Sequence, residues 1–182
     1  MKCIIVITIL AGLSLNANSQ YGFVDATIFK KNGDSLNCQV QREFSYGDLI
    51  TYRFSSGSQE KTIRAKQIKR IHTPAYIIEN ISMNGKDRLM TVVIEGKLGL
   101  YSYTVMEAGP KQVNNGVTSY GSKMKTTYAL VKNGVSTELS EKNYREILGR
   151  LMDDCPSVRA FVEKSHSFDE LQYIIESYNG CK

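Results

Sequence analysis

Two periodicities divide this chain. From Tyr21 to about Glu138, bulky apolar side chains recur at every second position, the period of a strand with one buried face; from Ser140 onward they recur at every third or fourth, the period of an amphipathic helix. In the first region Val24, Ala26 and Ile28 alternate with polar neighbours, "KNGD" at 31 to 34 supplies a turn, and Leu36, Cys38 and Val40 alternate again, which predicts a β-hairpin. "SYGD" then leads into Ile50, Tyr52 and Phe54, "SSGS" turns the chain, and Ile63 and Ala65 carry the alternation toward Ile68 and Ile71. About five short strands joined by tight turns predict a small barrel or curled sheet.

Pro74 interrupts that series, after which "AYIIENISM" predicts a strand and "NGKD" at 84 to 87 a turn. The run "RLMTVVIEGKLGLYSYTVM" is apolar at nearly every position, so its strands are expected to be covered on both faces, in the middle of a sheet. Residues 107 to 123, "EAGPKQVNNGVTSYGSK", are rich in turn formers and poor in bulky apolar side chains, which predicts a mobile loop or the tip of a long hairpin. "MKTTYALVKNGVSTEL" predicts strand, Asn-Gly turn and strand. The likeness of "FKKNGDSL" to "LVKNGVST" is read as two hairpins with the same turn chemistry, because two turns do not make a repeat.

In the last quarter Ser140 is a candidate N-cap, and Tyr144, Ile147, Leu148 and Leu151 form the apolar stripe of a first helix. A second helix should start at Pro156 and bury Val158, Phe161 and Val162. The third has a capping box of Ser167 and Glu170, places Phe168, Leu171, Ile174, Ile175 and Tyr178 on one side, and should end at Asn179-Gly180 in the left-handed conformation. The expected fold is α+β: an antiparallel β-rich body over residues 20 to 138, a small barrel or curled sheets, followed by a three-helix unit over 139 to 182 packed on it.

The opening "MKCIIVITILAGLSLNANSQ" has one positive charge at Lys2, an uncharged apolar run from Ile4 to Leu15 and small residues at Ala17 and Ser19. That is the layout of a secretory signal peptide, residues 1 to 19, cleaved after Ser19; the run is too short for the roughly 20 residues that span a bilayer. Cys3 precedes the run, so it cannot be the lipidated cysteine of a lipoprotein. With no second apolar span, an exported soluble product is expected, periplasmic or extracellular. A composition of 42% hydrophobic and 23% charged residues argues against disorder.

The formal charge is +5, yet residues 140 to 182 hold eight acidic against six basic side chains, so the excess lies in the β-rich body. It gathers at Lys61, Arg64, Lys66, Lys69 and Arg70, a candidate contact for an anionic surface polymer, although a solvated strand face is the simpler explanation. No aromatic interleaving or nucleic-acid motif accompanies these charges, so nucleic acid is not an expected partner.

Cys155 and Cys181 bracket the last two predicted helices. If those helices form an antiparallel hairpin, the two cysteines flank its open end, and in an exported protein they should form a disulfide. Closing that loop would stabilise the fold by roughly 3 to 4 kcal/mol on the chain-entropy view. Two histidines and three cysteines in the mature chain, with no CxxC or HExxH, give no metal site, and His166 in the interhelix turn is at the wrong end to activate either cysteine. Cys38 should be a buried thiol on the apolar face of its strand. Asp153-Asp154 resembles a carboxylate pair but fits better as an acidic lead into a helix N-terminus. Glycines stand singly at turns and no nucleophile motif occurs, so no cofactor is expected. Tyr101, Tyr103, Tyr120 and Tyr128 could stack on sugars, but sheet packing explains alternating tyrosines more simply.

With its short signal peptide, "GFVDATIFKKNGDSLNCQV" hairpin, "VVIEGKLGLY" segment and "DDCPSV...YNGCK" tail, the chain resembles uncharacterised exported proteins of Bacteroidetes-type bacteria over most of its mature length. The resemblance implies export, supports the pairing of Cys155 with Cys181, and carries no reaction. The expected function is that of an exported non-enzymatic protein that binds or assembles in the envelope, its partner an envelope protein or an anionic surface polymer. The competing expectations are an envelope hydrolase whose residues converge only in three dimensions, and a carrier of a small apolar ligand inside the β-rich body.

Overall fold

The structure, a computed structural model, describes residues 22–41, 49–114, 117–164 and 167–181; the expected signal peptide and its cleavage point lie outside them. Ten strands form one sheet: β1 (Phe23–Lys30), β2 (Ser35–Gln41), β3 (Leu49–Arg53), β4 (Lys61–Arg64), β5 (Ile68–His72), β6 (Ile77–Met83), β7 (Lys86–Ile94), β8 (Gly99–Asn114), β9 (Val117–Lys132) and β10 (Val135–Leu139). Their order is β10-β9-β8-β7-β6-β5-β1-β2-β3-β4. Every pairing is antiparallel. Three helices follow, α1 (Tyr144–Leu151), α2 (Pro156–Lys164) and α3 (Leu171–Asn179), so the chain is α+β with its helices at the C-terminus.

The sheet is not flat. In a flat sheet β4 and β5 would lie about 19 Å apart, four strand spacings, whereas the 3-10 turn Ala65–Gln67 that joins them has only three residues. At about 2 Å per residue it reaches a third of that distance, so the first five strands must curl until β4 and β5 meet. Ala26, Ile28, Cys38, Val40, Ile50, Ile63, Ile68 and Ile71 share the core inside this curl. Asn80 on β6 holds the turn by donating to the carbonyls of Ala65 and Ile68, at 2.8 and 2.9 Å. The other five strands also curl, and Ser136 Oγ of β10 donates to the carbonyl of Ser82 on β6.

Alternation stacks these parts into layers. On β6 Ile78 belongs to the first core, while Ile81 and Met83 face a second core with Met90, Tyr101, Tyr103 and Ala129. On β8 and β9 the neighbours of those last residues, Leu100 and Leu130, point the other way, into a third core with Leu148, Met152, Ile174, Ile175 and Tyr178 of the helices. The run around residue 100 is therefore covered on both faces, as its unbroken apolar sequence predicts.

The two similar turns differ. Asn133 and Gly134 both take positive φ (52° and 78°) between the paired residues Lys132 and Val135, a two-residue turn. In the first hairpin Gly33 is left-handed (φ 95°) while Asn32 is not, and Gly33 N–H donates to the Lys30 carbonyl, the three-residue loop with a bulge. In the stretch 107–123 the described residues, 107–114 and 117–123, are strand: β8 and β9 pair out to Asn114 and Val117, past a bulge between Ala108 and Lys111, as the arms of a long hairpin.

Among the helices the structure corrects four details. Asn143, not Ser140, supplies the side-chain bond at the start of α1, its Oδ1 accepting from Ser140 N–H at 2.7 Å. Phe161 is 39% exposed, at the edge of Tyr173, because the buried stripe of α2 is Val158 and Val162. Gly180 has φ −81° and remains right-handed. Asp153 bonds Arg159 at 2.7 Å, and Asp154 reaches across to the sheet, so neither acts as the lead into a helix N-terminus. The disulfide between Cys155 and Cys181 is present, with Cα atoms 6.3 Å apart at the open end of the α2–α3 hairpin.

Candidate functional site

The outer face of the first curl is polar because the residues between its core positions are polar. Ala26, Ile28, Cys38 and Val40 point inward, so Asp25, Thr27, Asn37 and Gln39 point out. Strand register sets them in two rows. Thr27 lies between Asn37 and His72, and Gln39 lies between Asp25 and Arg53. Each row is cross-linked: Thr27 Oγ1 donates to Asn37 Oδ1 at 3.0 Å, Gln39 Nε2 to Asp25 Oδ1 at 3.0 Å, and Arg53 Nε to Gln39 Oε1 at 2.9 Å. The Arg53 guanidinium also lies over the Phe23 ring, 4.1 Å from its centre.

These rows floor an open groove of about 640 Å³, walled by Phe54, Ser55 and Ser56 on one side and His72, Thr73 and Pro74 on the other. Phe54 is half exposed, held edge-on by Tyr52 with Lys61 above it. The His72 ring packs against the edge of Phe29, and its Nε2 is buried without a hydrogen-bond partner. Beneath the floor, burial pushes the Cys38 thiol up to about 11, which leaves a free but inert cysteine. The floor thus offers amide, hydroxyl and carboxylate groups to the groove.

A second cluster joins the helices to the sheet. Asp154 takes Lys97 Nζ at 2.6 Å, Lys132 Nζ at 3.1 Å and the Tyr178 hydroxyl at 2.6 Å. Both ammonium groups also lie against the buried Tyr178 ring, 4.7 and 5.0 Å from its centre. The hydrogen bond from Lys97, followed by that from Tyr178, holds the Asp154 carboxyl far below the usual carboxylate range. One residue on, Asn179 mimics a strand: its Oδ1 accepts from Leu98 N–H at 2.8 Å and its Nδ2 donates to the Leu98 carbonyl at 3.0 Å. Every group here is satisfied within the protein, so the cluster is a clamp. Gly96 belongs to it, since a Cβ there would stand 2.5 Å from the Asn179 amide nitrogen.

The five basic residues lie on three adjoining elements. Lys61 and Arg64 lie on β4, Lys66 in the 3-10 turn and Lys69 on β5, all exposed, whereas Arg70 is half-buried and paired with Glu95. Tyr101 donates to Glu79 at 3.0 Å, Arg88 lies over Tyr103, and Tyr128 meets Phe168, which in turn meets Tyr144, so these three tyrosines are packing residues. His166 and the side chain of Tyr120 lie outside what the structure describes. Sequence periodicity passed over Asp25, Thr27, Asn37 and Gln39. The available signal was chemical: the outward positions of "VDATI" and "LNCQVQ" are short acids, hydroxyls and amides, not the long Lys and Glu of an ordinary solvated strand.

No known protein family matches the chain, and neither does any curated protein or solved structure. Among the described residues no helix is long and apolar enough to cross a membrane.

Proposed function

We propose that this is an exported, non-enzymatic protein of the cell envelope that works by binding within an assembly, and that the end of the β8–β9 hairpin reaches its partner. The observation that carries this is the ribbon's length. β7 accompanies β8 only through Ser102, and β10 accompanies β9 only from Tyr128. From there β8 and β9 run on together to Asn114 and Val117, a two-stranded arm about 35 Å long at roughly 3.3 Å per residue. A lone hairpin is marginally stable in water, and its two bare edges invite pairing with other chains. An arm retained at that cost fits a contact element. The N-terminal layout and the resemblance to exported Bacteroidetes-type proteins support the compartment, and a disulfide suits an oxidising one.

The test is to replace residues 108–122 by Asn-Gly, joining Glu107 to its cross-strand partner Lys123. The shortened protein should be exported, start at Gln20, keep its disulfide and melt as before, yet lose its crosslinked partner in the envelope. Full retention of the crosslinks would overturn the proposal. Lys61, Arg64, Lys66 and Lys69 support a second contact, with an anionic surface polymer; its binding should weaken steeply with salt. The carrier alternative has less support, because the groove described above is open to solvent.

A further inference from the structure

We infer that the groove over β1 and β2 binds a neutral, hydroxyl-rich ligand, a saccharide chain, with its ring stacked on Phe54 and its hydroxyls bonded to Asn37, Gln39 and Asp25. This site is separate from the ribbon and does not rest on its role. Three observations select the ligand class. First, β1 is paired on both sides by β2 and β5, and β2 by β1 and β3, so no strand edge is free to add a peptide, and recognition must run through side chains.

Second, the floor carries the carboxylate of Asp25, bonded to the Gln39 amide, while the two cations beside it, Arg53 and Lys61, lie on the Phe23 and Phe54 rings. The groove therefore presents both signs of charge and is not a cation cluster built for a polyanion. Third, the bonds already made within the floor leave a mixed set of donors and acceptors. Thr27 uses only the oxygen of the Asn37 amide, leaving both its N–H bonds; Gln39 keeps one N–H, and Asp25 keeps its second oxygen. A hydroxyl both donates and accepts, so a run of hydroxyls matches this mixture where a simple acid or amine does not. The half-exposed Phe54 ring supplies an apolar wall for the flat face of a sugar. The volume, about 640 Å³, falls within the range of about 300 to 1,000 Å³ usual for ligand sites.

The experiment uses the mature, disulfide-bonded protein labelled with ¹⁵N and titrated with neutral hexasaccharides of glucose and of N-acetylglucosamine, with heparin as the polyanionic comparison. At least one neutral saccharide should shift the amides of Thr27, Asn37, Gln39 and His72, with affinity unchanged by added salt. Phe54→Ala and Asn37→Ala, both at exposed positions, should each weaken that binding about tenfold, the loss expected for one truncated contact, with unchanged melting temperature. The ribbon-shortened protein should bind the saccharide normally, which separates this site from the assembly role. Shifts with heparin alone, no shifts at the groove with any neutral saccharide, or full binding by both variants would overturn the inference.

Discussion

The outer face of β1 and β2 and the outer face of β8 and β9 come from the same alternation, yet the first is bare and the second carries three helices. The difference lies in which residues occupy the outward positions. On β1 and β2 they are Asp25, Thr27, Asn37 and Gln39, which water can satisfy; on β8 and β9 they are Leu100, Tyr128 and Leu130, which it cannot. A curled sheet with one apolar face is finished once it closes on itself. A wall that is apolar on both faces needs a further layer, and α1 to α3 supply it, fastened by the Asp154 cluster, by Asn179 and by the disulfide. Covering a face stabilises the fold and removes that surface from function, and leaving it polar does the reverse.

The strongest way to break this contrast is to reverse one residue on each face. Leu100→Asp puts a charge beneath the helices at a fully buried position, and it should cost more than about 4 kcal/mol or prevent folding, measured by urea unfolding. Asn37→Leu, on the bare face, should change stability by no more than about 0.5 kcal/mol. Equal losses from the two would show that the groove face is as integral to folding as the covered one.

Cutting the staple comes next. Cys181→Ser opens a loop of 26 residues in sequence separation, and should lower stability by up to about 3 to 4 kcal/mol. The loss should be confined to the helical layer, with amide exchange faster in α2 and α3 and unchanged in β1 to β5, whose core is separate. Uniformly faster exchange would mean that the two regions unfold as one unit. A smaller effect is expected of Asn179→Ala. It leaves the N–H and carbonyl of Leu98 unpaired beside the core, a loss of about 1 to 3 kcal/mol, which Asn179→Asp should recover in part by keeping the acceptor for Leu98 N–H.

The sequence made the layers legible and their closure illegible. Alternation marks the inward residues of both curls, and the apolar run near Leu100 marks a doubly covered wall. The step from Ala65 to Ile68 already breaks period two, and a 3-10 turn fills that break, but nothing local states that β4 must return to β5. The roles of Asp154 and Asn179 are illegible for the same reason: their partners, Lys97, Lys132 and Leu98, lie far away along the chain. Phe161 was placed inside because its type is apolar, while the helix stripe turns it out. The disulfide could be foreseen because a helical hairpin is local geometry.

The smallest expected effect distinguishes the clamp from ordinary packing, and it depends on pH. Asp154 is held below the usual carboxylate range by the bond from Lys97, with Tyr178 and Lys132 adding to it. A carboxyl depressed in the folded state contributes its full stability above its unfolded value, about 3.9, and loses it as pH falls from there toward the folded value. The wild-type protein should therefore be more resistant to urea than Asp154→Asn at pH 7, and the two should converge as the pH drops below about 4. Because Lys97 and Asp154 are each nearly half exposed, the difference should be modest and should shrink in high salt. A gap that persists unchanged through acid would assign the cluster's contribution to the shape of its side chains and not to their charge.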